Sequence, residues 1–311
     1  MQSVNGIFDI TQEGYLVAYR GYESTVTVPP GVVGIGERAF WGARLMTRVI
    51  LPASLRTVGA WAFAGCTALR EADLGGAEEI GAHAFFSCTS LSEARLPPTL
   101  LRLGGAAFDG CMSLVLVTLP AGLAEAGAGA FRGCRALRAV RVSPKNRIFR
   151  EEDGVLYRGG DLLLRYPPGR DAFAYTVPAG VRCLAPGAFS DATMLREVGL
   201  PGSLTEIGQG AFYRAKHLRG VTIPPGVTAI GAEAFGLCEA LTRVVLPSGL
   251  SEVPPLAFFG CGSLTEVVLP PSVTRIGEGA FHGCRSLSRL TAPGVIAVGE
   301  NAFAECAALH R

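Results

Sequence analysis

Residues 246–270 read LPSGLSEVPPLAFFGCGSLTEVVLP, and this stretch contains one full period of the chain. It opens on Leu246-Pro247, centres on Ala257-Phe258, continues through Cys261, Leu264 and Val267, and meets a second Leu-Pro at Leu269-Pro270, 23 residues after the first. Working outward, the Ala-Phe dipeptide recurs with its phenylalanine at Phe40, Phe63, Phe85, Phe108, Phe131, Phe189, Phe212, Phe235, Phe258, Phe281 and Phe303, in steps of 23 or 22 residues with one gap of 58. A self-similar period of this length is the mark of stacked coils, and it ranks above any local motif in deciding the fold.

Other columns fall into the same register. Six residues after each Phe stands Leu, as in Leu69, Leu114, Leu218 and Leu287, with Met46 the one substitute. Nine after it stands a small or β-branched apolar residue such as Val117, Val198 or Val267, and eleven after it another, such as Leu119, Ile223 or Leu269. This period-2 alternation predicts a short strand with one buried face. Pro follows in eight repeats, among them Pro52, Pro120, Pro201 and Pro270. It has no N–H, so it ends the ladder. Four residues before the Phe stands Gly in most repeats, but Pro254 holds that place in the quoted stretch, and proline cannot take positive φ. Close approach of neighbouring coils therefore explains that column better than backbone handedness does. The constant Ala suits a crowded place between coils, and the Phe is expected to fill the core of each coil, its loss costing ~3–5 kcal/mol. No single coil buries its own apolar side, so the stack is the folding unit. Strands ~4.8 Å apart give a length on the order of 55 Å for eleven coils and the intervening segment, with right-handed connections.

Bulk composition agrees. Of 311 residues, 49% are hydrophobic and 17% charged, which excludes global disorder. Mean hydropathy is +0.35, yet the apolar runs are short: Ser113–Leu119 stops at Pro120, far below the ~18 residues of a spanning helix. Net charge is +2, with no dense Lys/Arg cluster, so nucleic acid is not expected as a partner. The 41 glycines and 20 prolines punctuate many short strands.

The unit Leu-Pro-x-x-Leu-x-x-Ile-Gly-x-x-Ala-Phe-x-x-Cys-x-x-Leu-x-x-Val, represented here by Leu246-Pro247 through Val267, resembles the BspA-type (treponemal) leucine-rich repeat over about 31–311, less one insertion. The resemblance implies a leucine-rich-repeat solenoid, a right-handed superhelix placed by convention among α/β folds although rich in β. Its parallel sheet would line the concave side, with short helical turns and loops on the convex side. It also implies surface or secreted roles in binding host proteins or other cells, mostly in bacteria. One solenoid domain is expected over 1–311, with an N-terminal cap at 1–30, repeats one to five at 31–143, a hairpin-like insertion at 144–178 and repeats six to eleven at 179–311, the last coil incomplete.

The two irregular segments look alike. Glu13-Gly14-Tyr15-Leu16 and Asp153-Gly154-Val155-Leu156 each lead through further apolar residues to Val26-Thr27-Val28-Pro29 and Tyr175-Thr176-Val177-Pro178. The first is expected to cap the stack. The second is either an elongated repeat or buried former cap, or a protruding element that carries a partner site through Tyr157, Arg165 and Tyr166. At the other end, Arg311 follows Phe303 by eight residues, before another strand is complete. A longer natural chain, or self-association through the C-terminal coil, is the expectation there.

Eight of nine cysteines lie three residues after the Phe: Cys66, Cys88, Cys111, Cys134, Cys238, Cys261, Cys284 and Cys306, with Ala43, Ala192 and Ala215 as substitutes. Alanine as the alternative points to a small buried group. Parallel side chains in a ladder make poor disulfide partners, and no Cys-x-x-Cys occurs, so neither a metal nor a cofactor is expected. The histidines His83, His217, His282 and His310 occupy different columns. No hydrolase, zincin or phosphate-loop motif occurs, so no catalytic residue is named.

The expected working surface is the outward strand column ten residues after each Phe: Ile50, Asp73, Arg95, Thr118, Arg141, Gly199, Thr222, Val245, Val268 and Thr291. Arg95, Thr118, Arg141 and Thr222, with Tyr157, Arg165 and Tyr166 of the insertion, are the candidate partner-binding residues. Arg70, Arg138, Arg196 and Arg219 add a neighbouring basic column. The leading expectation is a non-catalytic scaffold for a protein or extended polymer. The alternatives are an assembly module associating end to end and, more remotely, a glycan-active enzyme using Glu151, Glu152, Asp153 and Asp161. The N-terminal residues Met1–Thr11 lack an export-signal pattern and the thiols are many, which suits a reducing cytoplasm; the family resemblance implies the cell surface if a leader is removed.

Overall fold

The computed structural model describes residues 2–4 and 6–309; His310 and Arg311 lie outside the described residues. Two compact units divide the chain, Met1–Leu156 and Tyr157–Arg311. The chain passes from one to the other within the strand Val155–Arg158.

In the first unit, Gln2–Val4, Phe8–Ile10 and Tyr15–Tyr19 form an antiparallel meander. Tyr15–Tyr19 then pairs in parallel with Gly34–Ile35 and starts a ladder through Thr57–Val58, Glu79–Ile80, Arg102–Leu103 and Glu125–Ala126. A second parallel sheet runs Thr25–Thr27, Arg48–Ile50, Glu71–Asp73, Glu93–Arg95, Leu116–Leu119 and Ala139–Val142, each strand one period after the last. Thr25–Thr27, inside the segment expected to be only a cap, is thus the first strand of this sheet.

The second unit repeats the plan. Leu162–Arg165 leads a ladder through Cys183–Leu184, Glu206–Ile207 and Ala229–Ile230. Glu252–Val253, Arg275–Ile276 and Ala297–Val298 form a short ladder of their own. The other sheet runs Ala174–Thr176, Glu197–Gly199, Gly220–Val221, Arg243–Val245, Glu266–Val268 and Arg289–Thr291.

Each coil therefore carries two strands where the columns predicted one, because the Ile-Gly column also pairs with its equivalents above and below. Turns, and no helix among the described residues, join the strands, so the expected short helical turns are absent there.

The phenylalanines form the core in both units. In the first, Phe40, Phe63, Phe85, Phe108 and Phe131 stack at centroid distances of 4.7, 5.0, 5.1 and 5.9 Å. In the second, Phe189, Phe212, Phe235, Phe258, Phe281 and Phe303 stack at 5.0, 5.1, 5.4, 5.4 and 5.5 Å. The alanine before each Phe supplies the carbonyl that accepts the backbone N–H of the preceding coil's Phe, as in Phe63 to Ala84 at 2.7 Å. A larger side chain would hold the coils apart.

The glycine four residues before the Phe is a close-approach position. A Cβ on Gly104 would lie 2.4 Å from the Ala82 nitrogen, and its φ is not in the left-handed region. Left-handed backbone sits instead two residues before and two after each Phe: Trp61 (φ 58°) and Gly65 (φ 73°) flank Phe63, and Leu256 (φ 56°) and Gly260 (φ 66°) flank Phe258. Non-glycine residues there cost backbone energy that the stack must offset.

Candidate functional site

The strand column ten residues after each Phe faces outward in both units, because its neighbours on either side point into the core. Val49, Val117, Val140, Val244 and Val267 are buried, whereas Asp73, Arg95, Thr118, Arg141, Gly199, Thr222, Val245 and Thr291 are exposed. In-register pairing sets equivalent side chains side by side, as in Arg95 against Asp73 and Arg141 against Thr118. The face is thus a lattice whose chemistry varies coil by coil over a constant backbone.

In the first unit, Arg95 and Thr118 line one groove of about 820 Å³ together with Glu93, Leu116, Leu96 and Pro98. Charge on this face is largely internally paired. Arg95 meets Glu93 at 3.4 Å, Arg48 meets Glu71 at 3.3 Å, and Arg141 meets Glu151 at 3.0 Å. Such exposed pairs add at most ~1 kcal/mol each, so they can rearrange at little cost. Glu151 also accepts the Gly154 N–H at 2.7 Å, and Glu152 pairs with Arg150 at 3.1 Å. These two carboxylates thus serve local turns and pairs.

In the second unit, Thr222 lines a groove of about 1020 Å³ with Thr176, Gly199, Gly220, Arg219 and Arg243. Arg196 lies over the exposed Phe173 ring at 4.4 Å, and Arg243 pairs with Glu266 at 2.9 Å.

The other three candidates are interior residues, which corrects the reading of the insertion as a protruding partner site. Tyr157 is 0%, Arg165 5% and Tyr166 1% exposed. Tyr166 occupies the Phe column and stacks on Phe189 at 5.1 Å. Arg165 donates through Nη1 to the Gly187 carbonyl at 2.6 Å and to Ser190 Oγ at 2.8 Å. The Tyr157 and Tyr175 hydroxyls hydrogen-bond to one another. Tyr157 lies in a strand whose first three residues are all buried, and Tyr166 takes the Phe place at the start of the second unit's ladder, so both rings serve the core.

The cysteine column is a packing ladder with a hydrogen bond the columns did not reveal. Each thiol donates to the carbonyl of the preceding coil's Phe, as Cys66 to Phe40, Cys111 to Phe85 and Cys261 to Phe235 at 3.1–3.2 Å. Burial pushes the Cys284 thiol up to about 12 and raises Cys111, Cys238 and Cys261 as well. Among the described residues, no three His, Cys, Asp or Glu side chains gather as a metal site, and no helix is long and apolar enough to cross a membrane.

Two features escaped the column reading. Trp41, Trp61, His83 and Phe86 form an aromatic cluster on the turns of the first unit, with Trp61 and His83 stacked at 4.1 Å. Arg38 lies over the Trp41 ring at 5.0 Å. These residues come from columns that vary freely, so no period announces them. The other feature is Gly220, at an outward strand place near Gly199 of the outward column, and that placement was the available signal.

Comparison with known proteins agrees with this geometry. The model of the BspA-type leucine-rich repeat region matches residues 19–138 and 182–310, in six copies. No curated protein matches the chain in sequence. Among solved structures, a leucine-rich repeat protein from Eubacterium ventriosum is 25% identical, with a TM-score of 0.86 over 96% of this chain and 86% of its own. A leucine-rich cell surface protein from Faecalibacterium prausnitzii is 25% identical, with a TM-score of 0.67 over 91% and 92%. A leucine-rich repeat protein from Bacteroides ovatus is 25% identical, with a TM-score of 0.56 over 97% and 91%. With the family model covering well over half of its residues, the chain belongs to the BspA-type leucine-rich repeat family.

Proposed function

We propose that this chain is a non-catalytic interaction scaffold that holds a protein partner on its exposed strand faces. The observation that carries the reading is the outward column, from Asp73, Arg95, Thr118 and Arg141 in the first unit to Thr222, Val245 and Thr291 in the second. Most of it lies on parallel strands held by backbone pairing, so its side chains vary at little cost to the coil. Rigid scaffolds with variable outer positions suit recognition, because little ordering entropy is lost on binding. The side chains mix Arg, Thr, Asp and aliphatics, as protein-binding surfaces do. The relative from Faecalibacterium prausnitzii is a cell surface protein, and we extend that place of action to this chain.

The test is an array of extracellular proteins and glycans probed with the purified chain and with three face variants, Arg95→Glu, Thr118→Glu and Thr222→Glu. At least a tenfold loss for one or more variants against the same protein is expected, about 1.4 kcal/mol. Binding that none of the three alters, or binding confined to glycans, overturns the reading.

A further inference from the structure

We propose that the depression at Gly199 and Gly220, in the exposed strand face of the second unit, receives one large apolar side chain of a protein partner, flanked on that partner by charges of both signs. This rests on the reading of the strand faces as the partner-binding surface.

The fold requires most of its glycines for one of two reasons. Those four residues before the Phe are compelled by packing: a Cβ on Gly127 or Gly231 would lie 2.3 Å from backbone nitrogen of a neighbouring coil. Others, such as Gly65 and Gly260, are compelled by positive φ. Gly220 belongs to neither kind. Its φ lies outside the left-handed region, and a Cβ there would meet nothing within 4 Å. At Gly199 a Cβ would touch only the Thr176 side chain, at 3.3 to 3.6 Å. A strand glycine carries excess backbone entropy and contributes no packing, and it often marks a place where another molecule approaches closely. Among the described residues two exposed strand glycines stand on neighbouring strands: Glu197 pairs with Gly220 and Val198 with Val221, which sets Gly199 two residues further along than Gly220.

Among the described residues nothing lies within 4 Å of where a Gly220 Cβ would stand. The groove of about 1020 Å³ is lined by both glycines and by Thr176, Thr222 and Val245 among others. Val245 is 45% exposed and supplies aliphatic contact. The Thr242 hydroxyl already donates to the Arg219 carbonyl at 3.4 Å, which leaves less for a ligand covered in hydroxyls. At the rim, Glu197 and Arg219 are exposed, and neither makes an ion pair among the described residues. One unused carboxylate and one unused guanidinium complement a protein surface of mixed charge around an apolar knob. A desolvated knob within a charged rim is the usual arrangement of a protein hot spot.

The experiment uses the full chain with Gly220→Ala and Gly220→Leu. Because the fold does not need this glycine, Gly220→Ala is expected to raise the thermal midpoint by about 1–3 °C. A fall of several degrees shows the glycine to be structural and overturns the proposal. N-acetyl-L-phenylalaninamide, titrated to tens of millimolar, is expected to shift the Val245 methyl and Thr222 resonances saturably, with at least a tenfold weaker response in Gly220→Leu. No saturable shift, or a shift with the trisaccharide of N-acetylglucosamine alone, overturns it. If Gly220→Leu keeps a partner's affinity while Arg95→Glu loses it, the depression fails and the broader reading of the faces stands.

Discussion

The Tyr166 ring stacks on Phe189 with centroids 5.1 Å apart and planes 24° from parallel, as Tyr19 stacks on Phe40 at 4.9 Å and 29°. Each tyrosine takes the place of a Phe at the start of its unit's ladder. The backbone agrees: Tyr19 N–H donates to the Ala39 carbonyl at 2.9 Å and Tyr166 N–H to that of Ala188 at 2.8 Å. The two irregular segments are thus the same device, a ring that seals the first Phe and a strand that starts the ladder. Tyr166→Ala is expected to destabilise the second unit by ~3–5 kcal/mol, the cost of emptying a buried aromatic site. Tyr166→Phe should keep most of that stability. Urea unfolding of both variants measures the difference. Equal stability of the alanine variant and the parent would show that the ring is not part of the core.

How far the sequence discloses this depends on whether a residue repeats. The Phe, Ala, Leu and Pro columns repeat because each coil meets the same neighbours, so the stack and its outward column were legible from period alone. The second ladder was not, since Gly34–Ile35 and its equivalents offer only two residues of strand, too short for any alternation to show. The left-handed positions around the Phe were hidden for another reason: Trp61, His83, Glu233 and Leu256 occupy them in place of glycine. Tyr157, Arg165 and Tyr166 were misplaced because aromatics and arginine are favoured at interfaces and in caps alike, and only burial tells the two apart. The depression at Gly220 was readable in principle, as a glycine in an outward strand place, but its meaning needs the empty space around it.

Close approach makes its own prediction at Gly104. A methyl group there would sit 2.4 Å from the Ala82 nitrogen and 2.5 Å from the Gly81 carbonyl carbon, both backbone atoms that a side-chain rotation does not relieve. Gly104→Ala is therefore expected to cost about 1–3 kcal/mol as the coils separate, despite the gain usual when glycine becomes alanine. The same change at Gly220 has the opposite sign. Denaturant midpoints for the pair decide the point, and a Gly104→Ala chain as stable as its parent would contradict the close-packing account of that column.

The thiol ladder predicts how stability varies with alkali. In the folded chain, burial raises the Cys284 thiol to about 12 and lifts Cys111, Cys238 and Cys261 too. An unfolded thiol titrates near ~8.5. Above that pH the unfolded chain sheds protons that the folded chain keeps, so stability is complete below ~8.5 and declines as pH rises toward the folded value. Between about pH 8.5 and 10 the loss from the Cys284 thiol is roughly 2 kcal/mol. Cys261→Ala, which places in this coil the residue found at Ala43, Ala192 and Ala215, should make the decline shallower and cost little at neutral pH. Reactivity follows the same order. Cys183 and Cys306 are half-buried and should be the first to react with a thiol reagent, while Cys66, Cys88, Cys111, Cys134, Cys238, Cys261 and Cys284 wait for unfolding. Rapid labelling of all nine in the native chain, or an alkaline slope unchanged by Cys261→Ala, would show that the column does not bury its thiols against the neighbouring coil.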